Sequence, residues 1–166
     1  MESYNIVPFN NIKKVLPILN KISLLGGLSQ SEISQVFSLS EWKSFNKNEI
    51  IFKKGDSPNY IYIIISGQIK LYISNSNIEY EFLDFTVGDC LGEASLISIE
   101  PHGGTAICQK KTECIMISRK TLFNLHKSYP TLFSKIILNI ARELARRLHK
   151  NTDILAKYMS LHSNIN

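Results

Sequence analysis

The chain has 166 residues and a mass of 18.9 kDa, enough for one domain with a real core and too little for two full domains and a linker. With 44% hydrophobic and 20% charged residues it is neither polar enough to stay disordered nor apolar enough for lipid. Its longest apolar run, Tyr60 to Ile65, is six residues, whereas a membrane-spanning helix needs about 20. Of the net charge of +5, most lies in residues 130–166, which hold six Lys/Arg against two Asp/Glu; residues 1–129 hold thirteen against twelve.

The opening residues Met1-Glu2-Ser3-Tyr4-Asn5 are acidic where a secretory signal is basic, and no apolar region with a cleavage site follows. Cys90, Cys108 and Cys114 are odd in number and lack CxxC spacing, which argues against a disulfide framework and a zinc cluster. These features predict a cytoplasmic protein whose cysteines are small core residues.

Residues 1–17 read as an N-terminal segment, and residues 18–127 as one domain. Ser29-Gln-Ser-Glu32 is a capping box followed by Ile33, Val36, Phe37 and Leu39, so a helix of about ten residues is predicted after an entry turn at Gly26-Gly27. Then come short β-rich pieces: Trp42–Phe45, Glu49–Phe52, Tyr60–Ile65, Gln68–Ser74, Glu79–Phe85, Thr105–Gln109 and Glu113–Ser118. Turn clusters of hairpin length separate them, among them Asn46-Lys47-Asn48 and Asn75-Ser76-Asn77, the pattern of seven or eight antiparallel strands. Cys90 to Ile97 breaks the β pattern with room for one tight helical turn, followed by a loop at Glu100-Pro101-His102-Gly103-Gly104. Two helices close the chain, Arg119 to His126 and, after a break at Ser128-Tyr129-Pro130, Pro130 to about Tyr158. Residues 128–160 are thus the long helix and 161–166 a tail. The fold class is a mainly β antiparallel roll, jelly-roll-like, with flanking helices.

The strongest cluster is Gly88-Asp89-x-x-Gly92-Glu93-Ala94-Ser95-Leu96. Gly92 permits close backbone approach, and a helical turn starting there points free N–H groups at an anion. Glu93 can accept a hydrogen bond from a sugar hydroxyl. The bland alternative is a tight turn with a solvated acid.

With Leu28-Ser29, Ile50-Ile51-Phe52-x-x-Gly55-Asp56, Tyr62-Ile63-x-x-x-Ser66-Gly67 and Ala145-Arg146-Arg147-Leu148, the series from about residue 18 to 152 resembles the cyclic-nucleotide-binding domains of catabolite-activator regulators, kinase regulatory subunits and gated channels. The resemblance implies a β-roll that holds cAMP or cGMP over a phosphate-binding cassette, with no metal. It implies that Glu93 binds the ribose 2′-hydroxyl, that Gly92 and the amides around Ala94 and Ser95 meet the phosphate, and that the polar pair Asn151 and Thr152 contacts the purine. In such domains an arginine pairs with the phosphate where this chain has His102, followed by Gly103 and Gly104. One imidazole donor in place of an Arg fork loses about 1.4–2.8 kcal/mol, ten- to a hundredfold in affinity. His102 reads either as a ligand group or as a loop histidine.

Leu144, Leu148, Asn151, Leu155 and Tyr158 follow a 4-3-4-3 spacing, a heptad seam suited to a parallel homodimer. Arg142, Arg146, Arg147 and Lys150 read as a solvated outer face, with Glu143 pairing Arg147 at i, i+4, rather than as a nucleic-acid contact. Only a short polar tail follows, where DNA-binding relatives carry a helix-turn-helix, so direct DNA binding is not expected. The four histidines form no metal-binding pair. Two functions lead: a non-catalytic cyclic-nucleotide sensor that signals to a downstream protein by moving its C-terminal helices, or a degenerate fold serving as a dimeric interaction module without nucleotide; a weaker third is a basic dimer that contacts nucleic acid through the long helix.

Overall fold

The computed structural model describes residues 7–9, 12–75 and 78–163. The opening Met1 to Asn5, the turn residues Ser76 and Asn77, the end of the 161–166 tail and the His162 side chain lie outside the described residues.

Two antiparallel sheets stack face to face. One has the order β1 (Val7–Pro8), β2 (Glu41–Phe45), β9 (Thr112–Ser118), β4 (Tyr60–Ser66), β7 (Cys90–Leu91); the other has β3 (Ile50–Phe52), β8 (Thr105–Cys108), β5 (Ile69–Asn75), β6 (Ile78–Phe85). The helices are α1 (Gln30–Ser38), α2 (Glu93–Ser98), α3 (Arg119–Ser128) and α4 (Pro130–Ser163). This is the expected mainly β roll with flanking helices. The strand limits fall within a residue or two of expectation, whereas α4 extends five residues beyond Tyr158 and α3 reaches Ser128. The two-residue strands β1 and β7 and three 3₁₀ turns between Ile12 and Leu25 were not expected. Segments that short carry no periodicity for a sequence to display.

The apolar run of β4 is explained by burial on both faces. Ile61, Ile63 and Ile65 pack with Ile115 and Ile117 of β9 against the helices, while Tyr62 and Ile64 pack with Cys114 and Met116 against the second sheet. Phe9 and Val15, of the N-terminal segment, belong to the helix-side core. All three cysteines are buried and free. Burial pushes the Cys108 thiol up to about 11 and raises those of Cys90 and Cys114 as well.

The capping box forms as read: Ser29 Oγ accepts from the Glu32 N–H at 3.3 Å, and Glu32 Oε2 accepts from the Ser29 N–H at 2.7 Å. Lys135 of α4 donates to Glu32 Oε1 at 2.7 Å, so the same carboxylate ties α1 to α4. Tyr129, ahead of Pro130, leaves helical geometry (φ −138°, ψ 63°) and separates α3 from α4. Asn139 is buried and donates to the carbonyls of Leu24 (3.0 Å) and Gly26 (2.8 Å), fixing the turn before α1 to the first half of α4. Asn139→Ala strands both carbonyls, with an expected loss of about 2 kcal/mol measured as a lower urea midpoint.

Candidate ligand site between the cassette and the long helix

β7 feeds directly into the cassette, residues 92–104. Gly92 caps α2 at φ 87°, and a Cβ there would lie 2.7 Å from the Tyr60 carbonyl of β4, so any side chain would be both strained and blocked. Within α2 the Leu96 N–H is bonded to the Gly92 carbonyl at 3.1 Å, which leaves the first-turn amides of Ala94 and Ser95 without helical acceptors. The helix ends at Ile99, a β-branched residue held at φ 61°, ψ 28° with 73% of its surface exposed. Left-handed geometry costs a β-branched residue about 1–3 kcal/mol.

The 100–104 loop is pinned through His102, whose N–H donates to the Asp56 carbonyl (3.0 Å) and whose carbonyl accepts from the Gly55 N–H (2.8 Å). The ring stacks on Phe52 at 3.7 Å and 10° and is 4% exposed. Burial pushes its pKa below the ordinary value, with Asp56 opposing in part, so the imidazole is neutral near neutral pH. Gly104 fits because a Cβ would stand 2.6 Å from the Tyr72 carbonyl, while Gly103 has open space around it.

Glu93, at the first position of α2, is 1% exposed. Its Oε1 accepts from Arg147 Nη1 of α4 at 2.5 Å, and Oε2 is buried with no partner among the described residues. Arg147 also donates through Nη2 to the Cys90 carbonyl (2.6 Å) and through Nε to Glu143 Oε1 (3.2 Å), and its guanidinium lies 5.0 Å from the Phe85 ring centre. Burial raises the Glu93 pKa, and the Arg147 charge draws it only partway back. For Arg147 burial works against the charge, and Glu93, Cys90, Glu143 and Asp89 more than offset it.

Between cassette and helix lies a cleft of about 560 Å³. Gly92, Glu93, Ala94, Ser95, His102, Gly103, Gly104 and Asn151, all singled out in the sequence, line it together. Thr152 does not: it is exposed, and its hydroxyl donates to the Leu148 carbonyl within α4 at 2.9 Å. Arg147 corrects the sequence reading, since it points into the cleft rather than to a solvated face. It sits three residues after Leu144 and four before Asn151, so the helical repeat of the seam already placed it on their face. The apolar wall of Phe52, Leu71, Ile73, Phe82, Leu83 and Phe85 was also missed. The charged lining groups are Glu93, Glu100 and Arg147, and the guanidinium is already engaged on three sides.

The model of the cyclic nucleotide-binding domain matches residues 42–129, and the chain belongs to that family. A solved cyclic nucleotide-binding domain from Methylobacillus flagellatus superposes with a TM-score of 0.82 at 22% identity, over 93% of this chain and 88% of that one. The regulatory subunit of a protein kinase A from Trypanosoma brucei, described as cAMP-independent, matches with a TM-score of 0.67 at 17% identity over 79% of this chain and 46% of that one. A triple variant of that subunit, one change of which puts arginine for threonine, is described as bound to cAMP. Among curated relatives, the lysophospholipase NTE1 of Pyricularia oryzae is 27% identical over 76% of this chain. That stretch is 8% of the fungal enzyme, so the chain matches a small part of a much longer protein.

Arg147→Met leaves a buried carboxylate without its counter-charge, an expected loss of about 2–3 kcal/mol at neutral pH. The sign in pH follows from the raised Glu93 value: a carboxyl easier to protonate when folded favours folding on the acid side, and that contribution is lost as pH rises through the raised value. The variant should therefore lose more stability than wild type as pH rises above the ordinary carboxylate range, read from urea midpoints, and adding Glu93→Gln should remove the difference.

Proposed function

We propose that this domain is a non-catalytic regulatory module that binds a cyclic nucleotide in the cleft and reports occupancy through α4. One observation carries the reading: the cassette and α4, which face each other across the cleft, are joined by the Glu93–Arg147 ion pair. A ribose hydroxyl donating to Glu93 would share a carboxylate that now holds the long helix, so binding and helix position draw on the same group. The unpartnered Oε2 is a second acceptor for that hydroxyl. In this reading the Ala94 and Ser95 amides would meet the phosphate and Asn151 the base, and all three residues line the cleft. Leu148, Leu155 and Tyr158 of the seam are exposed along the distal part of α4 and support the homodimer, through which a moved helix would alter the docking of a downstream protein. The buried thiols suit a reducing, cytoplasmic setting.

The interaction module without nucleotide remains the second reading, favoured by one fact: the cassette loop presents a neutral stacked imidazole where the family carries a cation. The trypanosome subunit described as cAMP-independent, and its arginine-bearing variant described as bound to cAMP, give that reading a parallel.

Calorimetric titration of cAMP and cGMP decides between them. The sensor predicts saturable heat of modest affinity, and the burial of His102 works against any gain from its protonation on the acid side. His102→Arg should tighten binding about tenfold or more. Absence of heat from both proteins overturns the nucleotide reading and leaves the interaction module.

A further inference from the structure

A second concavity, of about 280 Å³, shares no lining residue with the cleft. Its floor is Leu96 of α2, Leu122 of α3, and Phe133 and Ile137 of α4; Ile97, Ile99 and Phe123 form its apolar rim, with Arg119 and His126 of α3 beside them. The apolar part of the rim is in water: Phe123 is 63% exposed, and Ile97 and Ile99 are exposed with it. Ile99 combines exposure with the left-handed backbone noted above, two costs for which this chain shows no return. Clustered exposed apolar side chains around a concavity mark an interaction surface.

The surrounding charge selects the occupant. Lys120, Phe123 and Lys127 share one face of α3 by their i, i+3, i+7 spacing, and the ten residues of α3 include no acid. Arg119 and Lys120 line an adjoining hollow with Phe123. Neither hollow is lined by a carboxylate, and among the described residues no ion pair engages Arg119, Lys120 or Lys127. A recessed floor takes individual side chains, which suits a peptide better than the flat surface of a bilayer.

We propose that this groove docks a peptide segment of a partner protein in which two or three large apolar side chains are flanked by aspartate or glutamate. The proposal stands apart from the nucleotide reading, since none of its residues lines the cleft.

The test is selection from a phage-displayed random dodecapeptide library on the full chain, with the best sequence resynthesised, labelled with fluorescein and followed by anisotropy. Enriched peptides should combine leucine, isoleucine, phenylalanine or methionine with acidic residues. Their binding should fall about tenfold or more with Ile99→Gly/Phe123→Ser. It should also weaken with Lys120→Glu/Lys127→Glu and with added salt. Both pairs change exposed side chains, and Ile99→Gly relieves strain, so melting temperatures at or above wild type show that the fold is kept. Peptides without an acidic bias, or binding unchanged in both double variants, overturn the proposal. So does self-association in sedimentation that Phe123→Ser abolishes, which would make the occupant a second copy, or binding to phosphatidylserine vesicles in place of peptides.

Discussion

Glu93 is a carboxylate taken out of water at the first turn of a six-residue helix, and the guanidinium of Arg147 is what makes that position tolerable. An isolated buried charge in an apolar surround is too costly to persist, so the cassette can hold Glu93 ionised only while α4 supplies a counter-charge. Every larger feature of the site depends on this. Arg147 reaches the cassette because α4 crosses beside the β-roll, and α4 lies there because Asn139 and Lys135 fasten its first half to the segments around α1. Three donors of one guanidinium meet the cassette carboxylate, the start of β7 and the α4 carboxylate Glu143, which makes Arg147 the junction of strand, cassette and helix.

The parts of this arrangement legible in the sequence are those in which a local rule is strong. Ser29 and Glu32 announce a helix start because both halves of the capping box are within three residues. Gly92 announces a tight approach because left-handed geometry against the Tyr60 carbonyl admits no other residue. Tyr60 to Ile65 reads as a strand, and burial on both faces accounts for its unbroken apolar character. What escaped needs partners distant in sequence. Arg147 carries a local Glu143 partner that makes a solvated face the natural reading, and only the fold shows that Glu93, fifty-four residues earlier, stands opposite it. His102 reads as a possible cation until Phe52 is seen stacked on its ring.

His102 also shows how a cassette can keep its form while its charge changes. The backbone of residue 102 is bonded in both directions to the Gly55–Asp56 turn, so the loop is placed by main-chain hydrogen bonds that need no particular side chain. The side chain is then free to differ, and here it completes an apolar wall with Phe52. The placing of the loop and the charge it presents are thereby separable: the 55–56 turn fixes the first through main-chain bonds, and the side chain at 102 sets the second.

The helix α2 presents different chemistry on its two sides. Glu93, Ala94 and Ser95 face the cleft, while Leu96, Ile97 and Ile99 face the groove against α3. Both of its caps are left-handed, Gly92 at φ 87° and Ile99 at φ 61°. Glycine occupies such a position freely, whereas isoleucine is strained there, and its exposed side chain recovers nothing from the core. Stability of the isolated domain would favour glycine at both ends, so the isoleucine is accounted for by what it contributes outside the fold: an apolar rim on a groove whose floor is shared by the cassette helix, α3 and the start of α4. A body seated in that groove touches all three elements at once, and its fit depends on how they are set relative to one another.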